Sequence, residues 1–545
     1  MTSRYRAAVS AAAFCALCAA AAAQGPGVTS TDLLDGLTNP SRWLTYSGDY
    51  TGQRFSPLTQ ITPATASQLA AQWTFQTGVV NKFEATPLVL DGVLYVTGAL
   101  NHAWAIDARS GRQIWHYQRQ LPQGLKVCCG MVNRGFAILG DRLFFATLDA
   151  HFVALEMKTG KVIYDVEIAP AKDGFAATGA PLVVKDKVIV GIAGGEFANR
   201  GFLDAYNPAT GERVWRFYTI PAPGEKASDS WKGEIWQRGG GPTWLTGTYD
   251  PQLNLLYWGV GNPNPDWDGE SRPGDNLYTG SLVALDPDTG ALKWHFQYTP
   301  HDTHDWDANE VPVLADLTVN GRPRKVVMMA NRNGFFYVND RVTGEFIRAR
   351  PFVHTTWSNE IGKDGRPVLN PGQEPTESGT VTCPGLYGGT NFMSPSFDAK
   401  RGLFFVTARE TCMRYIRRAP AANPAVGNLT LGGNAALVSE PVKSSGALRA
   451  LDAATGERKW EIPYEDAGWA GVTATAGGVV FSADHDGTFM VADSTTGKKL
   501  YEYQTGAAIF APPTTYLLDG RQYVLIPAGS TLTAFALPRG NGGTR

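Results

Sequence analysis

Charge is scarce in this chain. Asp, Glu, Lys and Arg make up 18% of its 545 residues and nearly cancel, to a formal −2. That leaves no basic face for a nucleic acid or an anionic lipid surface. After residue 23 there is no apolar run long enough to span a bilayer. Cysteine is rare, six in all, and the only C-x-x-C, Cys15 to Cys18, is followed by Ala19 rather than His, which excludes haem attachment. A dinucleotide fingerprint is also missing. The Gly-rich bend Gly191–Glu196 follows an apolar strand, but no helical pattern follows the bend.

Glycine and aromatics are abundant instead, with 61 Gly and 15 Trp. Gly-rich, aromatic-rich and charge-poor composition fits many short strands joined by tight turns. The first residues read as an export signal. Arg4 and Arg6 precede the apolar run Ala7–Ala23, and the small residues Ala21–Ala23 sit before Gln24. Cleavage there predicts a mature chain 24–545, delivered to a periplasm.

A short pattern recurs: small-apolar-acidic, a turn ending in Gly, then an aromatic four residues on. It reads AIDARSGRQIW (Ala105–Trp115), ALEMKTGKVIY (Ala154–Tyr164), AYNPATGERVW (Ala205–Trp215) and ALDPDTGALKW (Ala284–Trp294). It continues at Tyr337–Arg348, Ala450–Trp460 and Val491–Tyr501. A split copy joins Ala534–Ala536 to Leu69 and Trp73. Each copy is a β-hairpin whose Gly takes the φ > 0 turn position. One four-stranded sheet cannot bury both faces alone, whereas eight stacked radially can. The sequence therefore predicts an all-β, eight-bladed propeller of four-stranded antiparallel blades, closed by pairing N- and C-terminal strands. Seven blades plus an appendage is the alternative. The recurrent Trp residues are expected to pack between blades. The repeat spacing leaves surplus chain at Ile220–Asn276 and Pro351–Ser445, read as long loops able to carry function.

The densest chemistry lies in Thr299–Glu310, TPHDTHDWDANE, where Asp302, Asp305, Asp307 and Glu310 crowd around Trp306 with His301 and His304. If this segment is extended, Asp305 and Asp307 project to one side, as hard-metal ligands, a general base, or both. A solvated acidic loop is the bland alternative. Glu196 and Asn262 also end strands and would complete an oxygen-only site. Outside the leader, four cysteines remain. Cys383 and Cys412 are expected to pair and tie down the second insertion, and the adjacent Cys128 and Cys129 to close on each other.

These residues, with CCGMVNRG (Cys128–Gly135), GGGPTW (Gly239–Trp244), GNPNP, RPGDN, TPHDTHDWD, NRNGF (Asn331–Phe335), GGTN (Gly388–Asn391) and Gly468-Trp469, resemble the methanol/ethanol-type quinoprotein alcohol dehydrogenases. Those enzymes use pyrroloquinoline quinone (PQQ). The resemblance implies PQQ held between the Cys128–Cys129 disulfide and Trp244. It further implies cofactor contacts from Glu84, Arg134, Thr178, Gly194, Gly195, Arg332, Asn391 and Trp469. Glu196, Asn262 and Asp305 are implied metal ligands, and Asp305 the base that takes the alcohol proton as hydride passes to PQQ. Calcium-using relatives usually carry a small neutral residue where this chain has Asp307, and lanthanide users carry Asp. A lanthanide ion is therefore expected, with Ca²⁺ as the alternative and a merely orienting Asp307 left open. Expected partners are a small alcohol and a soluble cytochrome c, and a homodimer is allowed for.

Three departures from the family pattern stand out. Ala193 replaces a frequent Ser, and Ser530 replaces a Trp that lines the substrate mouth in the family, so the resemblance implies a wider or more polar cavity and alcohols larger than methanol. No C-terminal C-x-x-C-H is present, so electrons are expected to leave to a separate protein. A quinoprotein acting on sugars or polyols, and a non-catalytic propeller scaffold, are the competing readings.

Overall fold

Every copy of the repeated pattern forms the outer hairpin, third and fourth strands, of a four-stranded antiparallel sheet. The structure, a computed structural model, describes residues 27–419 and 425–539, so the expected leader lies outside it. Eight such sheets are present among the described residues, one of them with a fifth, parallel strand added at its edge. The first runs through Leu88–Leu90, Val93–Thr97, His102–Asp107 and Gln113–Gln118 in sequence order. Six more repeat this meander, and the eighth is composite. There Ala70–Gln76 pairs antiparallel with Thr531–Ala536, setting Trp73 opposite Ala534 as the split copy requires. The N-terminal Phe55–Ser56 adds a parallel strand beside Thr473–Thr475, which the repeat did not foreshadow.

Why the pattern demands Gly and an aromatic together is visible at Trp215. Its indole Nε1 donates to the Pro287 carbonyl of the next sheet, 3.0 Å away. Its ring lies flat on that sheet's turn. Gly290 there has φ +74°, and a Cβ on it would stand 2.7 Å from Trp215 Cε3. The same relation recurs for Gly111 with Trp73, Gly160 with Trp115, Gly344 with Trp294 and Gly497 with Trp460. Trp73, Trp115 and Trp460 likewise donate to carbonyls of the following sheet. Each aromatic thus buries its ring against the next sheet's turn and stitches neighbours together.

The insertions are not simply loops. Pro351–Ser445 contains two strands of a blade, Ser396–Asp398 and Leu403–Glu410. It also carries the hairpin Ser358–Ile361 with Pro367–Leu369. A separate three-stranded sheet is built from Thr380–Thr382, Cys412–Arg417 and Gly433–Val438. The Cys383–Cys412 disulfide ties this sheet, as expected. No helix among the described residues is long and apolar enough to cross a membrane.

Candidate active site

The residues singled out in the sequence fall at one kind of position. Glu84, Arg134, Thr178, Trp244 and Trp469 lie three or four residues before the innermost strand of five different sheets, and Asn391 lies five before that of a sixth. Glu196, Asn262 and Arg332 sit in the turn between the second and third strands of three sheets. In an antiparallel meander the start of strand one and the end of strand two lie at the same end of the sheet. Radial stacking then brings all these connections to one end of the hub.

There they enclose a cavity of about 300 Å³. Its wall includes Glu84, Arg134, Thr178, Asn391 and Trp469. Cys128, Cys129, Gly194 and Trp244 form another part, and Cys128 and Cys129 are bridged to each other. The acidic part is Glu196, Asp305 and Asp307, with Arg332 beside them. Gly195 and Asn262 lie just behind the wall, where an added Cβ on Gly195 would come 3.2 Å from Asn262 Oδ1. Ser530 does not line the cavity; its carbonyl accepts from the Thr77 amide at 2.8 Å.

Asp305 and Asp307 converge, but not by strand alternation. No strand crosses residues 299–312, and Asp305 has φ +61°. The turn is held by Asp302, whose carboxylate accepts from the His304 amide at 2.9 Å and the Trp306 amide at 2.7 Å. Aspartate tolerates a left-handed backbone better than most residues. Arg332 then closes the arrangement, in contact with Asp307 Oδ2 and 3.5 Å from Asp305 Oδ2. Asp307 Oδ1 accepts from the Asn262 amide at 2.6 Å, and Oδ2 from the Trp244 indole at 3.0 Å. At the other end of the cavity, Arg134 pairs with Glu84 at 2.7 Å. Its guanidinium lies 5.0 Å from the Trp244 ring centre.

Burial, with Asp307 adding to it, pushes the Glu196 carboxyl up to about 7. Burial also raises Asp305 well above the usual carboxylate range, although Arg332 opposes the rise. Beside one another in this acidic part, Glu196 Oε2, Asn262 Oδ1 and Asp305 Oδ1 are buried and have no hydrogen-bond partner. An oxygen-only donor set with orphaned, desolvated acceptors fits a hard cation. One carboxylate oxygen of Glu196 also lies within 4.8 Å of both bridged sulfurs. Those sulfurs carry no thiolate charge, so they act as wall rather than ligands.

Several cavity residues carry no motif of their own in the sequence. Asp266 and Trp267 follow directly on the GNPNP motif, and Leu386, Tyr387 and Leu431 come from the segments flanking the inserted sheet. Trp267 packs with Met413 and Tyr415 of that sheet. The inserted sheet thus backs Trp267 in the cavity wall.

A propeller whose hub end encloses an oxygen-rich pocket walled by aromatic rings and a vicinal disulfide belongs to the cofactor-binding class. The comparisons with known proteins narrow this. The family described as PQQ: glucose/ethanol/alcohol dehydrogenase, β-propeller domain, matches residues 43–351 and 461–524. Quinoprotein alcohol dehydrogenase PedH of Pseudomonas putida is 37% identical over 93% of this chain and 89% of its own length. The lanthanide-dependent methanol dehydrogenase of Methylacidiphilum fumariolicum is 38% identical over 90% of this chain and 85% of its own. A europium-containing methanol dehydrogenase structure superposes with a TM-score of 0.88 at 34% identity, covering 93% of this chain and all of that one. This chain belongs to the PQQ-dependent quinoprotein alcohol dehydrogenases, and it is an enzyme of that type.

Proposed function

We propose that the protein is an exported, periplasmic dehydrogenase that oxidises alcohols to aldehydes with PQQ and a light lanthanide ion and passes the electrons to a soluble cytochrome c. On this reading the mature chain is one domain, 24–545, a ring closed by the pairing of Ala70–Gln76 with Thr531–Ala536. The observation that carries it is the orphaned oxygen trio of Asn262, Glu196 and Asp305, brought to one end of the cavity from turns of two neighbouring sheets and the connection leading to a third.

In this proposal Glu196, Asn262, Asp305 and Asp307 hold the cation. Trp244 and the Cys128–Cys129 bridge take the two faces of the cofactor. Arg134 and Arg332 offer charge-assisted donors to its anionic edge, and Glu84, Thr178, Asn391 and Trp469 fix its orientation, with Gly194 and Gly195 allowing close approach. When bound, PQQ would supply the acceptor for the alcohol's hydride and its two electrons, and the cation would supply Lewis acidity. Asp305 turns Oδ2 toward Arg332 and leaves Oδ1 free, so it is placed to take the alcohol O–H proton. Asp307 adds a second carboxylate next to Asp305, which favours a trivalent ion over a divalent one.

A dye-linked assay with PQQ and La³⁺, wild type against Asp305→Ala, tests the assignment. Loss of nearly all turnover in the variant is expected, and equal rates would remove Asp305 from its role.

A further inference from the structure

Asp266 sits one residue beyond the GNPNP motif, is 1% exposed and lines the same cavity as Glu196, Asp305 and Asp307. Its Oδ1 accepts from Asn262 Nδ2 at 2.9 Å. The other group near that nitrogen is the Pro263 carbonyl, 3.4 Å away. The Pro263 carbonyl can only accept, so the Asn262 amide presents its NH₂ to this side and reaches Asp266 with it. Oδ1 is left facing the other way, fully buried and without a partner. Arg272 backs this loop, donating to the Pro265 carbonyl at 2.8 Å and the Asp266 carbonyl at 2.9 Å. The Arg272 guanidinium also holds the Asp302 carbonyl, which ties the Asp266 loop to the Asp305 turn. Among the described residues, Arg332 is the one cation in an ion pair with any of Glu196, Asp266, Asp305 and Asp307.

We propose that Asp266 is a positioning and charge-setting residue of the cation site. It locks the Asn262 amide with its oxygen toward the ion and biases the site toward a trivalent ion over Ca²⁺. The inference rests on the cation site proposed above. Two effects act together. An amide whose N–H is held by a carboxylate is polarised, and its carbonyl oxygen becomes a stronger donor. The Asp266 charge also attracts the ion in proportion to the ion's own charge.

The test is ion binding to the full mature chain. Tb³⁺ is followed by luminescence excited through tryptophan, with the Trp244 indole 3.0 Å from Asp307 as the antenna, and Ca²⁺ by calorimetry. In Asp266→Asn, Tb³⁺ affinity is expected to fall at least tenfold. Because the Coulomb energy scales with ion charge, the matching Ca²⁺ loss is only about fivefold, so the Tb³⁺-to-Ca²⁺ ratio drops. Asp266→Glu, which keeps the charge, is expected to keep the wild-type ratio. It serves as the deciding variant if Asp266→Asn does not fold. Unchanged affinities in Asp266→Asn, equal losses for both ions, or a fallen ratio in Asp266→Glu would overturn the inference alone. A wild-type chain that binds neither ion would overturn the proposed cation site with it.

Discussion

Trp244 donates its indole N–H to Asp307 Oδ2 across 3.0 Å. The ring assigned as a cofactor plate is therefore also a support for the carboxylate assigned to metal choice. Trp244→Phe keeps an aromatic plate and removes that donor, leaving Asp307 to Arg332 and the Asn262 amide. A hydrogen bond to a charged group is worth about 1.5 kcal/mol or more. Lanthanide affinity is expected to fall roughly tenfold on that basis, while the fold is unaffected, as read by calorimetric titration beside a thermal melt.

Packing between blades depends on glycines that lie under rings. Gly290 and Gly224 both have positive φ, but only Gly290 has a ring on it, while nothing lies within 4 Å of a Cβ on Gly224. Gly224→Ala should cost about 1 kcal/mol from the left-handed backbone alone. Gly290→Ala must also displace Trp215 and its bond to Pro287, so its cost should reach about 3 kcal/mol or more. Denaturant midpoints of the two variants compare them directly, and equal costs would contradict the ring-on-turn role.

The inserted sheet is held by Cys383–Cys412, which closes a 29-residue separation. Removing the bridge as Cys383→Ser with Cys412→Ser should cost roughly 3–4 kcal/mol. The loss should concentrate in the insertion. Hydrogen exchange is expected to rise in Thr380–Thr382 and Gly433–Val438 while the blades stay protected. Since neighbouring Leu386 and Leu431 reach the cavity, KM for alcohols should change more than kcat.

The propeller was legible in the sequence because one hairpin recurs with both its Gly and its aromatic. Those two residues make a single contact, and together they survive as a repeat. The inserted sheet was not legible, because Thr380–Thr382 and Gly433–Val438 carry no such pair and were read as loop. The convergence of Asp305 and Asp307 was foreseen from a strand alternation that does not exist. The turn that achieves it depends on Asp302 bonding two amides, which a list of charges does not reveal. Asp266 has no signature in the sequence, because it acts through the Asn262 side-chain amide rather than through any spacing.

Reconstitution with PQQ and a single ion tests the central claim most directly. The mature protein given PQQ and La³⁺ should oxidise alcohols, PQQ with Ca²⁺ should support far lower turnover, and Asp307→Ala should lose the La³⁺ activity. Full turnover with Ca²⁺ and none with La³⁺ would contradict a trivalent ion held by Glu196, Asn262, Asp305 and Asp307.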